Sequence, residues 1–144
     1  METATDRLRL VIGDEGLARL EAARVAVIGL GGVGSSCAEA LARGGVGHLV
    51  LLDRDVVAPS NINRQALAFQ STVGRPKAEV MRAMALDINP AADVTAITAF
   101  LDKDALPRQM DALGPLDYVI DAIDTCPELR LAAWCQERGR PRAL

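Results

Sequence analysis

Aromatic side chains are almost missing from these 144 residues: Phe69, Phe100, Tyr118 and Trp134 are all there are. Half of the chain is nonetheless apolar, so its core must be built from Ala, Val, Leu and Ile. That composition suits a buried parallel sheet covered by helices. A basic surface is lacking too. The net charge is −3 and the pI about 5.1, which offers no general attraction for nucleic acid. There is no run of about 18 apolar residues for a membrane span, and the opening METATDRLRL has no apolar signal-peptide core; the chain reads as cytoplasmic. Histidine occurs once, as His48, without a constellation around it. The cysteines, Cys37, Cys126 and Cys135, show neither CxxC nor Cys/His spacing, which removes the usual zinc pattern. A reactive thiolate needs a basic partner, and all three read as inert reduced thiols.

What the sequence does contain is an alternation of strand-like and helix-like stretches, with no internal repeats and no long linker. Residues 13–23 suggest a short amphipathic helix, followed by the apolar strand RVAVIG at 24–29. A small-residue helix at 35–45 closes on glycines, and HLVLLD at 48–53 forms a second buried strand. The polar loop 54–65 carries the turn residues Pro59, Ser60 and Asn61. A helix over 76–88 begins at Pro76 and stops before Asn89-Pro90. Strands at 93–101 and 116–122 and helices at 103–113 and 127–138 complete the series. Such alternation predicts a Rossmann-like, doubly wound, mostly parallel α/β sheet with helices on both faces, as one domain over 1–144. The end at Leu144, just after the Gly139–Pro141 turn where another strand is due, predicts a fold truncated at its C-terminus.

The strongest local signal is GLGGVGS at 29–35, set between a strand and a helix. Gly29 permits a tight turn, and Gly31 and Gly32 let backbone approach a phosphate or ribose. Gly34 allows close helix–strand packing, and the helix start offers amide donors with a positive dipole end. Asp53 ends the second strand about twenty residues later, where a carboxylate accepts the hydroxyls of a ribose. These features alone do not separate NAD from ATP. The loop beyond them does: Asp55, Asn61, Asn63, Arg64 and Gln65 crowd together, Lys77 opens the next helix, and Asp121 and Asp124 close the fourth strand. Open α/β sheets bind ligands at these carboxyl ends. A dinucleotide needs little beyond the helix N-terminus, whereas added Arg, Lys and carboxylate groups suit a triphosphate with magnesium, clamped during attack at the α-phosphate.

GLGGVGS, LLDRD, SNINRQ, VGRPK, INP and VIDAID, in this order and spacing, resemble the ThiF/MoeB/HesA family, whose fold is shared with ubiquitin-activating enzymes. The resemblance covers essentially the whole chain, and SNINRQ with VGRPK is its most specific part. RLRLVIGDEGLARL, AEALARGGVG, NINRQ and VIDAID look most like the branch that acts on tRNA. That branch uses ATP to activate the threonylcarbamoyl carboxylate of a modified adenosine, which then cyclises with loss of water. Other branches adenylate the C-terminal glycine of a ubiquitin-like sulfur carrier for thiamin or molybdopterin synthesis. The resemblance implies that Gly32 lies against the nucleotide and that Asp53 holds the ribose. It implies that Asn63 and Arg64 contact the phosphates while Gln65 supports their loop, that Lys77 neutralises the α-phosphate region, and that Asp124 holds magnesium or orders the adenylate. It also implies a homodimer in which Arg7 reaches the partner's triphosphate, with Arg9 as a rival. One departure stands out: similar dehydratases often carry Lys where this chain has Leu129, followed by Arg130. Family members are also considerably longer, and the zinc-binding cysteine pairs of some lie beyond this segment. Three other readings are an activator of a carrier protein, an NAD-binding dehydrogenase domain, and a catalytically silent nucleotide-binding or dimerisation module.

Overall fold

A computed structural model of the chain describes residues 1–124 and 128–143. Five parallel strands lie in the order β3-β2-β1-β4-β5, namely β1 (Arg24–Ile28), β2 (His48–Leu52), β3 (Asp93–Ile97), β4 (Tyr118–Asp121) and β5 (Arg142–Ala143). The helices are α1 (Asp6–Ala22), α2 (Gly32–Arg43), α3 (Lys77–Ile88), α4 (Leu106–Asp111) and α5 (Glu128–Glu137). The doubly wound α/β expectation holds, and every strand pair is parallel.

Alternation along the strands explains how both faces are filled. Val25, Val27, Leu49, Leu51 and Val94 point to one side, where Ala38 and Ala42 of α2 and Ala78, Val80, Met81 and Ala85 of α3 cover them. Ala26, Ile28, Val50, Leu52 and Val119 point to the other, under Leu106 and Met110 of α4 and Leu131, Trp134 and Cys135 of α5. Small alanines let α2 and α3 approach the sheet closely, so few aromatics are needed. The strand order reverses between β1 and β4. Chains on the two sides of this switch point diverge, leaving a crevice at the carboxyl ends of the strands.

Several boundaries differ from the sequence reading. The first helix begins at Asp6 rather than residue 13 and is broken at Gly13, whose φ of 71° is open to glycine. The helix expected at 35–45 takes in Gly32 and ends at Arg43, with Gly45 at φ 85° closing it. Pro76 precedes α3 instead of opening it. The strand expected over 93–101 ends at Ile97: β3 is the sheet edge, and residues 98–101 leave it. The helix at 103–113 shortens to Leu106–Asp111 and the strand at 116–122 to Tyr118–Asp121. Cys37 is half-buried and Cys135 buried, and burial pushes both thiols above their ordinary range, as befits inert thiols. The position of Cys126 lies outside the described residues.

Candidate nucleotide site

The crevice is built first by the glycine turn. Gly29 has φ 91°, and a Cβ there would stand 2.6 Å from the Ala122 carbonyl oxygen, so only glycine lets β1 and β4 end side by side. At Gly34 a Cβ would meet the Gly29 carbonyl oxygen at 1.8 Å; this glycine packs behind the turn and does not line the crevice. Gly31 caps α2 and Gly32 opens it. The first-turn amides therefore have no intrahelical partner and carry the positive end of the helix dipole.

Asp53, directly after β2, fixes that turn. Its Oδ2 accepts from the Leu30 amide at 2.7 Å, and its Oδ1 accepts from the Asp55 amide at 2.7 Å. Ser35, fully buried and passed over in the sequence reading, joins the turn to the next segment. Its Oγ donates to the Gly31 carbonyl at 2.6 Å and accepts from the Ala66 amide at 3.0 Å. Within that segment Asn61 Oδ1 accepts from the Ala58 amide at 2.8 Å. Arg64 Nη1 donates to the Ser60 carbonyl at 2.9 Å and to Asn63 Oδ1 at 3.0 Å. Gln65 is buried, and its Oε1 has no hydrogen-bond partner among the described residues.

Lys77 arrives by a second route. The stretch around Val56 meets Pro76 in an antiparallel bridge, and the Lys77 amide donates to the Asp55 carbonyl at 3.0 Å. This sets Lys77 Nζ 3.8 Å from Asp55 Oδ2, an ion pair too long to be a hydrogen bond. Lys77 is only 5% exposed. A lysine so buried is no solvated helix residue; its charge is held at the crevice.

A cavity of about 420 Å³ results, lined by ten of the expected residues: Gly29, Gly31, Gly32, Asp53, Asp55, Asn61, Arg64, Gln65, Lys77 and Asp124. Gly34 and Asn63 lie outside the lining, the latter acting on it only through Arg64. Asp121, which the sequence grouped with Asp124, is buried and accepts from Arg142 Nη1 of β5 at 2.8 Å. It braces the sheet instead of facing the cavity. Arg7 is exposed on α1 and does not line the cavity, while Arg9 is paired with Asp6 and Asp14. Sequence reasoning missed Arg54 and the wall Ala99, Phe100 and Leu101, which it had placed in β3. Among the described residues no three His, Cys, Asp or Glu side chains gather as a metal cluster.

A model of the ThiF family matches residues 5–142. The chain belongs to the ThiF family. This ThiF-family chain is 48% identical over 136 residues to the tRNA threonylcarbamoyladenosine dehydratase of Bacillus subtilis, covering 94% of the chain and 53% of that protein. It is 48% identical over 92 residues to the molybdopterin-synthase adenylyltransferase of Salmonella typhimurium, covering 64% and 37% of the two. The solved structure of the Escherichia coli tRNA N6-threonylcarbamoyladenosine dehydratase in complex with ATP superposes with a TM-score of 0.88 at 38% identity, covering 98% of the chain and 60% of that one. The ThiF-family chain spans about half the length of the curated dehydratases it matches.

Proposed function

We propose that the chain is the nucleotide-binding part of an ATP-dependent, adenylate-forming enzyme that activates the threonylcarbamoyl carboxylate of a modified tRNA adenosine. One observation carries this reading. A buried lysine, an arginine and an unshared helix N-terminus converge on the cavity that also holds Asp53. That is more positive charge than the two phosphates of a dinucleotide require, and it suits a triphosphate. The likeness to dehydratases, one of them solved with ATP, points the same way.

Placement suggests the roles. Amides of the α2 first turn and Arg64 would hold phosphate oxygens, and Asp53 the ribose. An acceptor carboxylate oxygen attacks the α-phosphorus as the bond to the β-phosphate oxygen breaks, giving an acyl adenylate and pyrophosphate. Lys77, already desolvated, would stabilise negative charge that grows at the α-phosphate during this exchange. Asp124, three residues beyond the end of β4, is an exposed carboxylate that lines the cavity. It fits a magnesium ion held largely by phosphates, since magnesium commonly takes one or two carboxylates and keeps its waters; when bound, that ion would neutralise phosphate charge. Gln65 Oε1, buried without a partner among the described residues, fits a donor supplied by the bound group.

A homodimer is part of the proposal. Leu10 is 88% and Val11 81% exposed on the α1 arm that carries Arg7, apolar surface of a kind that a second copy would cover. Arg7 then serves the partner's triphosphate, its planar guanidinium suited to phosphate. No described helix is long and apolar enough to cross a membrane, and we place the protein in the cytoplasm.

Thermal unfolding tests the nucleotide class. ATP with magnesium should raise the midpoint and NAD should not, because selective binding to the folded state stabilises it; an equal shift with NAD overturns the reading. In the longer protein, tRNA should stimulate pyrophosphate release. Stimulation by a small protein ending in Gly-Gly would favour carrier activation, the second reading, which the similarity to molybdopterin-synthase adenylyltransferase supports.

A further inference from the structure

At the amino ends of the strands, away from the nucleotide crevice, lies a second cavity of about 480 Å³. Gly47 organises it. The Gly47 amide donates to the Leu20 carbonyl at 3.0 Å, and the Gly47 carbonyl accepts from the Asp93 amide at 2.8 Å. A Cβ here would stand 1.8 Å from the Glu21 carbonyl oxygen, so glycine lets the end of α1 and the start of β3 come together. Their carboxylates, Glu21 and Asp93, both line the cavity. Among the described residues no arginine or lysine pairs with either one. Arg43, the cation in the lining, is held by Glu39, with Nε donating at 2.9 Å and Nη2 at 2.8 Å. Asp93 Oδ2 has His48 Nδ1 beside it at 3.5 Å, and that nitrogen is buried without a hydrogen-bond partner among the described residues. Helix α1 ends at Ala22, α2 at Arg43 and α3 at Ile88, so three negative dipole ends add to the carboxylates.

We propose that this cavity binds a linear polyamine. Among the described residues no three His, Cys, Asp or Glu side chains gather closely enough to hold one metal ion. The negative charge is distributed along the lining, which suits an extended cation better than a point charge. An ammonium group has three donors and no acceptor, matching a space lined by carboxylates, helix-end carbonyls and the Asn89 side chain. The methylenes between ammonium groups match the apolar part of the lining, Ala42, Ile88 and Ala91. The assignment stands independently of the nucleotide reading. Occupancy also has a structural consequence. Thr5, just before α1, and Glu21 in its last turn both line the cavity. A straight helix of that length would be about 25 Å long, so both ends reach one cavity through the break at Gly13. A bound polyamine would therefore hold both ends of the α1 arm to the sheet.

Proton NMR with spermidine as the probe tests this, with butylamine and magnesium chloride as comparisons at matched ionic strength. His48 is the one histidine of the chain, so its imidazole resonances report this cavity. Spermidine should shift them to saturation at one site per chain. Butylamine, with a single ammonium, should bind about tenfold or more weakly, and magnesium should bind more weakly than spermidine. Glu21→Gln and Asp93→Asn should each weaken spermidine about fivefold, the loss of one partly screened ion pair. Asp104→Asn, an exposed carboxylate outside the cavity, should leave affinity unchanged. The indole resonance of Trp134, from the core on the other face of the sheet, checks that each variant is folded. Equal affinities for spermidine and magnesium would show general counterion attraction and overturn the site. So would an unchanged affinity in either Glu21→Gln or Asp93→Asn, an equal loss in Asp104→Asn, or His48 resonances that do not move.

Discussion

Two cavities of similar size open at opposite ends of the sheet, about 420 Å³ at the carboxyl ends and about 480 Å³ at the amino ends of the strands. Volume does not distinguish them, but polarity of the backbone does. At the carboxyl end α2 and α3 begin, so amides and positive dipole ends face the space, and Asp53, Asn61, Gln65 and Lys77 are buried around it. At the amino end α1, α2 and α3 finish, so carbonyls face it, and its charged side chains Glu21, Arg43 and Asp93 lie toward the surface. Arg43 pairs with Glu39 at 2.8 Å, and His48 Nδ1 stands 3.5 Å from Asp93. An anionic ligand is drawn to the first and repelled by the second. Desolvated charge and helix direction, not empty space, make the site.

The sharpest way to break this contrast is a matched pair of glycine changes. Gly34→Ala would push a methyl to 1.8 Å from the Gly29 carbonyl oxygen, and Gly47→Ala one to 1.8 Å from the Glu21 carbonyl oxygen. Backbone cannot yield as a side chain can, so each should cost about 3 kcal/mol or more in urea unfolding, the upper end of overpacking. Only Gly34→Ala should also abolish ATP binding by the protein that remains folded. Normal binding in that variant would mean that the turn is not the phosphate cradle.

Next in size are the two cations. In the longer protein Lys77→Ala should slow pyrophosphate exchange by about 2–4 kcal/mol of activation free energy, the scale of one oxyanion-hole donor, with ATP binding less affected. Arg43→Ala at the other end should leave exchange as it is. Equal rates for Lys77→Ala and wild type would take the lysine out of the chemistry.

The smallest contrast lies between two aspartates. Asp53→Ala strands the Leu30 and Asp55 amides, about 1–3 kcal/mol for each that water cannot reach, and should weaken ATP binding with little effect on the chemical step. Asp93→Ala loses a 3.5 Å contact between an exposed carboxylate and His48 Nδ1, worth under about 1 kcal/mol. Isothermal titration and denaturation on both variants would show whether the ends differ as described; similar losses in the two would erase the distinction.

Much of this was legible in the sequence because local rules governed it. GLGGVGS had to be a strand-to-helix turn, and Asp53, Arg64 and Lys77 could be assigned to the strand ends by counting elements. The failures have a common cause in partners distant along the chain. Asp121 looked like a site carboxylate because nothing nearby revealed that Arg142, 21 residues on, would neutralise it. Phe100 sat in an alternating stretch that reads as strand to its end; pairing stops at Ile97, opposite Leu52, where the neighbouring strand β2 also ends. Gly34, read as a packing glycine, packs as expected against the Gly29 carbonyl only five residues away.

The double engagement of Asp53 has a thermodynamic consequence. Since its carboxylate already holds the Leu30 and Asp55 amides, the glycine turn is organised before any ligand arrives. A nucleotide entering it has little backbone to immobilise, so more of its contact energy appears as affinity. The same bond should make the Leu30 amide slow to exchange with solvent deuterium even in the empty protein, with small further protection on binding. Amides of the first turn of α2, which have no such anchor, should gain protection instead, and that difference would report occupancy of the site residue by residue.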